Sequence, residues 1–191
     1  MTAPARTPAD PRDRLPTLLP SLRAFAIGLC RNVAQADDLV QETILKAWTN
    51  MDKFDPATNL EAWLFTILRN TYYSALRKTR REVQDSDGAY AAGMFDKPAH
   101  DGRLAYNDFQ RAFDQLTPEH REVLLLIGAS GYSCEEAAGM MNVAVGTVKS
   151  RASRARKRLA ELMNLAEGED VLGGTDGATA AVISRSVVAA A

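Results

Sequence analysis

An apolar repeat in residues 60–83 most constrains what this chain can fold into. Apolar side chains recur there three or four residues apart through four turns, which is the pattern of a helix that buries one face. Thr58 with Glu61 matches a capping box at the start of this helix. The chain has no persistent strand-like alternation, so we predict an all-α fold. The apolar residues of the repeat are Leu60, Trp63, Leu64, Ile67, Leu68, Tyr72, Ala75 and Leu76.

Two more helices are predicted before this segment, at about 15–30 and 34–51, and Asn32 is placed to cap the second of them. Residues 12–84 therefore read as one small domain of three or four helices. The preceding residues 1–11 are rich in Pro and charge, and we expect them to be disordered.

A second small helical domain is predicted at 104–165, beginning with a helix at about 104–115. The intervening residues 85–103 lose helical periodicity and gain Gly, Asp and Pro, which predicts a flexible linker. The Gly-, Ala- and Asp-rich residues 166–191 are expected to form a disordered tail.

The second domain contains a pattern typical of a helix-turn-helix. Thr117 is placed to cap a helix that has Pro118 in its first turn. Ser133 and Glu136 form a capping box ahead of the short helix CEEAAGMM. A three-residue break at 142–144 follows, and then a longer helix begins. In such a motif the second helix enters the DNA major groove.

That longer helix concentrates positive charge. Residues 145–159 hold six cations and no acid, although the whole chain has 23 Lys+Arg against 24 Asp+Glu and a formal charge of −1. A solvated basic helix, the alternative interpretation, usually interleaves acids for pairing between successive turns. The missing acids favour DNA binding, because the positive charge collects where phosphates would be met.

Helical geometry at about 100° per residue divides this segment into two faces. We expect Val148, Ala152, Ala155, Leu159 and Leu162 to pack inward. The residues predicted to bind DNA are the helix-start residue Thr147, the outward Lys149, Ser150, Ser153, Arg154 and Lys157, and the flanking Arg151 and Arg156, with Arg158 also flanking. Lys149 and Arg154 can pair with guanine, and the flanking arginines can reach phosphates.

A second polar face is predicted opposite the apolar repeat of residues 60–83. Aromatic rings among cations suit single-stranded nucleic acid, because bases stack on rings while cations follow the backbone. Trp63 and Tyr72 lie at apolar positions and are predicted core residues, whereas Tyr73 faces outward and suits either role. The face comprises Arg69, Asn70, Tyr73, Ser74, Arg77, Lys78, Arg80 and Arg81.

The sequence argues against an enzyme, a metal site or a cofactor. Cys30 and Cys134 are far apart and lack neighbouring ligands, so they are predicted to be free thiols in a reducing cytoplasm. His100 and His120 belong to no catalytic pattern. The N-terminus has no apolar core of a signal peptide, and the apolar C-terminal stretch is too short to span a bilayer. We therefore expect a cytoplasmic protein with no membrane association.

Four stretches together resemble an extracytoplasmic-function (ECF) sigma factor of RNA polymerase, a member of the sigma-70 family. They are DDLVQETILKAW (37–48), NLEAWLFTILRNTYYSALRK (59–78), LTPEHREVLLL (116–126) and YSCEEAAGMMNVAVGTVKSRASRARKRL (132–159). The phrases TNLEAWLFTILRNTYYS and ALRKTRREVQDSDG further resemble the general-stress-response subgroup.

The resemblance implies a role for each predicted site. It makes the first domain sigma region 2 and the second region 4, with the helix-turn-helix reading a −35 element similar to GGAAC. The second predicted helix would dock on the β′ clamp helices of core polymerase through Asp38, Gln41, Glu42 and Lys46, while Leu39, Ile44, Ala47 and Trp48 pack inward. The −10 strand, with one flipped base, would be held by Lys53, Phe54, Thr58, Asn59, Asn70, Tyr73, Arg77 and Lys78.

The resemblance also implies partners: core RNA polymerase through its β′ clamp helices and β flap, promoter DNA, and an anti-sigma factor that clamps both domains. We expect a monomer when the protein is free. Two other interpretations stay open at this point. One is a sigma-like decoy that sequesters an anti-sigma factor, and the other is a stand-alone helix-turn-helix regulator.

Overall fold

Three helices form the first half of the molecule in the computed structural model, which describes residues 10–85 and 103–165. A short 3-10 turn leads into them, and a second one follows α2. We call this half the first unit. Its helices are α1 (Leu15–Cys30), α2 (Val33–Thr49) and α3 (Leu60–Asp85).

Local capping explains where these helices begin. The chain reverses at Arg31, whose φ is 58°, and the Asn32 side chain then accepts a hydrogen bond from the Gln35 amide at 3.0 Å. The predicted cap Asn32 is therefore confirmed. The predicted capping box of Thr58 is wrong. Asn59 accepts from the Glu61 amide at 2.9 Å instead, and the Thr58 hydroxyl donates to a backbone carbonyl of the preceding turn.

Four helices form the second half, which we call the second unit. They are α4 (Arg103–Asp114), α5 (Pro118–Leu124), α6 (Cys134–Met141) and α7 (Val145–Leu162), and a π-helical turn, Leu125–Ala129, extends α5. Thr117 caps α5, and the Ser133–Glu136 capping box opens α6, both as predicted. The all-α prediction is confirmed, with no strand in residues 10–85 and 103–165.

The two units share one apolar core. Phe65 of α3 packs on Phe25 of α1, with ring centroids 4.7 Å apart, and on Tyr132 of the second unit at 5.8 Å. A Cβ added to Gly28 of α1 would lie 2.7 Å from the Leu125 side chain, so these segments approach closely only because Gly28 is small. The second unit therefore docks against the first, with α5 on α1 and α6 on α3.

The apolar repeat of α3 packs largely as predicted. Leu60, Leu64, Leu68 and Tyr72 are buried, and Trp63, Ile67 and Leu76 are partly buried. Ala75 is exposed, so its predicted burial is wrong.

The predictions for residues 1–9, 86–102 and 166–191 fall outside the described residues. In the part of the chain that is described, every helix is too short or too polar to cross a membrane.

Candidate nucleic-acid interface

A tight turn sets the angle between α6 and α7. Asn142 follows α6 in the left-handed conformation with φ 52°, and the Val143 amide donates to the Ala138 carbonyl at 3.1 Å. Helix α7 starts at Val145. The predicted three-residue break and the helix-turn-helix geometry are thus present.

Burial along α7 confirms the predicted division into two faces. The inward face packs on α5 and α6, and it consists of Val148, Ala152, Ala155 and Leu159, with Leu162 partly buried. The small Ala152 and Ala155 let the helix backbone approach its neighbours. This packing fixes which side chains of α7 point to solvent.

The outward face of α7 is exposed along its length. Its members are Lys149, Ser150, Ser153, Arg154 and Lys157, while Thr147, Arg151 and Arg156 at its margins are partly buried. The Arg154 guanidinium donates to the Ser150 carbonyl at 3.2 Å and to its hydroxyl at 3.1 Å. These bonds tie Arg154 back along the exposed face.

Acidic neighbours compensate part of the charge on α7. Lys149 lies 3.8 Å from Glu135 of α6, and Arg158 lies 3.1 Å from Glu161 one turn later. The stretch without acids in the sequence is therefore not free of acids in space. Among the described residues, Arg154 and Lys157 have no ion-pair partner, so the positive charge at the middle of the exposed face is uncompensated.

His120 at the first turn of α5 reports this positive charge. Partial burial lowers the pKa of its imidazole, and the charges of Arg154 and Arg151 lower it further. His120 is partly exposed.

The polar face of α3 is divided between solvent and the second unit. Its exposed members are Asn70, Ser74, Arg77, Lys78, Arg80 and Arg81. Arg69 and Tyr73 on the same face are partly buried. The prediction that the whole face is open to solvent is therefore wrong for these two residues, since α5 covers them.

Glu122 of α5 is the partner of both covered side chains. It is fully buried, at 0% exposure, and it pairs with the guanidinium of Arg69. The Tyr73 hydroxyl donates to the other carboxylate oxygen at 2.8 Å. Burial raises the pKa of Glu122, and the Arg69 charge opposes that rise. Burial and the Glu122 charge both raise the pKa of Tyr73.

Sequence reasoning did not identify this network. Glu122 stands in the apolar run REVLLL, and a charged residue in such a run signals a buried partner. The sequence does not reveal that the partners lie on α3. Arg121 is also buried, and its guanidinium donates to the Leu29 carbonyl at the end of α1 at 3.1 Å.

The connection between α2 and α3 presents three of its four predicted strand-binding residues. Lys53, Thr58 and Asn59 are exposed. Phe54 is buried and packs on Trp63, with ring centroids 5.3 Å apart, so its ring is not presented to solvent, and its predicted contact with the strand stays a prediction. Phe54 fixes the connection to α3.

Helix α2 exposes its predicted docking residues Asp38, Gln41, Glu42 and Lys46. Leu39 and Ala47 are buried and Ile44 is partly buried, as predicted. Trp48 is 54% exposed, which contradicts its predicted burial, and the guanidinium of Arg12 lies 5.3 Å from the centre of its ring. Leu45, one turn earlier, is 67% exposed. Together they add an apolar patch beside the charged docking residues.

Residues 10–85 and 103–165 hold no group of three or more side chains that could ligate a metal ion. Both cysteines are free, as predicted.

Comparison with known proteins matches both halves of the chain. The family description Sigma-70 region 2 matches residues 17–82, and Sigma-70, region 4 matches residues 106–159. The first match spans α1 to most of α3, and the second contains the helix-turn-helix. The order is the one expected from the sequence stretches.

Individual relatives agree with these matches. The ECF RNA polymerase sigma factor EcfG of Rhodopseudomonas palustris is 50% identical over 172 residues, which are 90% of this chain and 94% of that protein. The sigma factor RpoE of Bartonella quintana, solved in complex with the anti-sigma factor NepR, is 51% identical with a TM-score of 0.73, covering 80% of this chain and 95% of that one. CnrH, solved with the cytosolic domain of CnrY, is 28% identical with a TM-score of 0.52, covering 80% and 84%.

Both sigma regions are present in order, and the similarity extends over nearly all of an established relative. This chain therefore belongs to the ECF sigma factors of RNA polymerase, initiation factors rather than enzymes, which bind core polymerase and promoter DNA.

Proposed function

We propose that this sigma factor directs polymerase to general-stress-response promoters with a GGAAC-like −35 element and is held inactive by a small anti-sigma factor. The proposal rests chiefly on the exposed cationic face of α7, where Arg154 and Lys157 have no ion-pair partner among the described residues. Similarity at about half identity to EcfG and to RpoE bound to NepR supports the subgroup and the kind of partner.

The −35 element would be read by α7. Lys149 and Arg154 lie on the outward face in the first three turns, where a recognition helix meets base edges. Their side chains can pair with guanine O6 and N7, each such pair contributing about 1–3 kcal/mol of discrimination. Thr147, Ser150, Ser153 and the flanking Arg151, Arg156 and Lys157 would complete the contacts to bases and phosphates.

The −10 strand would lie along the first unit. Lys53, Thr58 and Asn59 of the connection and Asn70 of α3 are exposed and would hold the flipped base. Arg77 and Lys78, one to two turns further along α3, would follow the phosphates. In this conformation the buried Phe54 would not contact the strand directly, but its packing on Trp63 would hold the connection in position.

Core polymerase would dock on α2. Asp38, Gln41, Glu42 and Lys46 form its charged part, and the exposed Leu45 and Trp48 supply apolar area next to it. Aromatic residues of this kind often dominate binding at interfaces. The β flap would contact the second unit. We propose a cytoplasmic protein that is monomeric when free.

Run-off transcription tests this function. The full chain is added to core polymerase on a template with a GGAAC-type −35 element and on a matched template with that element scrambled. Initiation on the first template alone is expected. If transcription starts on neither template but the chain captures an anti-sigma factor, it is a decoy. If the chain binds duplex DNA without polymerase and starts no RNA, it is a stand-alone regulator.

A further inference from the structure

An anion from the second unit fills a cationic site on the first. Each carboxylate oxygen of Glu122 has its own partner, the Arg69 guanidinium on one side and the Tyr73 hydroxyl on the other. The guanidinium carbon also lies 5.0 Å from the centre of the Tyr73 ring. Arg69 and Tyr73 therefore form one preorganised site for an oxyanion.

The donors of this site can bind a phosphate as well as a carboxylate. A guanidinium donates to phosphate oxygens in the same fork geometry that it offers a carboxylate, and a phenol hydroxyl adds a neutral donor. The aromatic ring also offers a face for stacking a base. The site adjoins Asn70 and precedes Arg77 on the same polar face of α3.

We propose that Arg69 and Tyr73 form a two-state site, in which Glu122 stands in for a phosphate of single-stranded promoter DNA until the second unit moves away. This inference rests on the proposed function, because it adds Arg69 to the strand-binding face and identifies what closes that face. Glu122 and the DNA strand compete for the same donors, so the closed chain cannot use them to capture a strand.

The remaining contacts between the units allow such an exchange. They are apolar packing, with α6 on α3 and Leu125 against Gly28, and polar bonds at the C-terminal end of α1. Arg121 donates to the Leu29 carbonyl there, and Arg31 lies 3.6 Å from Asp114 and also donates to its backbone carbonyl. Water can satisfy the polar groups among these contacts after separation, whereas the apolar packing opposes it. A ligand that binds only the open state shifts the chain toward it.

The test uses the full chain without polymerase. Binding of a fluorescein-labelled single-stranded oligothymidylate is followed by anisotropy over a series of salt concentrations, and small-angle X-ray scattering gives the radius of gyration. Glu122→Gln removes the competing charge and is expected to expand the chain and tighten oligonucleotide binding about three- to tenfold, because the apparent affinity rises with the open fraction.

Arg69→Gln breaks the same ion pair but also removes the DNA ligand. It is expected to expand the chain equally and to bind no tighter than the wild type, with a salt slope smaller by about 0.7 for one lost phosphate contact. Arg111→Gln is the matched control for charge, because Arg111 is exposed on α4 and pairs only at 3.9 Å with Asp108. It should leave the radius of gyration at the wild-type value.

Gly28→Leu opens the units without touching the site, since its side chain would collide with Leu125. It should reproduce the tighter binding of Glu122→Gln. The proposal is overturned if neither Glu122→Gln nor Gly28→Leu expands the chain, if these two variants expand but bind the oligonucleotide no tighter than the wild type, or if Arg69→Gln gains as much affinity as Glu122→Gln. No promoter or polymerase enters this assay, so failure of the run-off experiment is a separate result.

Discussion

Helices α3 and α7 carry the same kind of pattern, an apolar stripe opposite a row of cations, but the structure uses the two rows differently. In α7 the row faces solvent, and Arg154 and Lys157 are free of acidic partners within the described residues. In α3 the row is split, with Arg69 held at 18% exposure against Glu122. A cationic helix face is thus open or closed according to what docks on it.

The difference has a physical consequence for when each face can act. A side chain on α7 needs no rearrangement to meet a phosphate, whereas Arg69 must first give up a buried ion pair. Breaking such a pair by removing one partner typically costs about 3–5 kcal/mol, because the other charge is left uncompensated. Movement of the whole second unit avoids that cost by returning both charges to water or to new partners.

The largest expected effect concerns the core that joins the two units. Phe65→Ala should lower the free energy of unfolding by about 3–5 kcal/mol, because the ring packs on Phe25 in one unit and on Tyr132 in the other. Urea unfolding followed by circular dichroism measures this loss. Phe109→Ala, which truncates a partly buried ring of α4, is the control and should cost less. Equal losses would contradict the larger contribution to stability that we expect from Phe65.

The two cysteines, one in each unit, allow a second comparison. Burial raises the pKa of the Cys30 thiol to about 11, against the opposing effect of the Arg121 charge. At pH 8 about one molecule in a thousand then carries the reactive thiolate, against about one in four for an ordinary thiol. In a Cys134→Ser background, alkylation of Cys30 should be roughly a hundredfold slower than that of glutathione and should still accelerate above pH 9. A plateau below pH 9 would contradict the raised pKa.

The free face of α7 predicts a loss that depends on the DNA sequence. Arg154→Ala should remove a base contact that contributes about 1–3 kcal/mol to binding the −35 element. Run-off transcription from a −35-dependent promoter should therefore fall roughly five- to 150-fold. It should also narrow the difference between intact and altered −35 elements. Arg111→Ala provides the control, because it removes a cation from the same unit outside α7. If Arg154→Ala discriminates −35 variants as the wild type does, the assigned reading face is wrong.

The smallest expected effects concern the caps. Asn59→Ala and Ser133→Ala, one in each unit, should each destabilise the protein by about 1 kcal/mol, because each side chain accepts an amide hydrogen bond at a helix start. Thr58→Ala is the matched control beside Asn59, and it should cost less because Thr58 caps no helix amide. Thermal unfolding of the three variants measures these losses of stability and ranks them. A larger loss for Thr58→Ala would restore the capping box that the sequence suggested.

Periodicity and capping patterns predicted most of each helix but not how the units dock. The faces of α7 follow from the spacing of Val148, Ala152 and Ala155, because a helix repeats its own geometry. The outward Trp48 and the covered Tyr73 could not be foreseen in the same way. Their environment depends on segments far away in the sequence, since Tyr73 meets a carboxylate 49 residues later.

The sequence likewise identified some residues of the candidate site and missed the surroundings of others. Lys53, Asn70 and the exposed residues of α7 were found because polar side chains stood at outward positions. Phe54 was assigned to the strand, but its ring fills the space beside Trp63, which a loop sequence alone does not reveal. Arg69 lay on the predicted polar face, yet only the buried Glu122 shows that it is an anion site.

A reversible lock between the units tests most directly whether initiation requires α3 to be uncovered. Gly28→Cys and Leu125→Cys, in a chain with Cys30→Ser and Cys134→Ser, would bring two thiols close together, because a Cβ at position 28 is 3.3 Å from the Leu125 Cγ, near which the new sulfur would lie. Run-off transcription is measured with the oxidised and the reduced protein. We predict that the oxidised protein is inactive and that reduction restores initiation, whereas equal transcription in both states would contradict the requirement for opening.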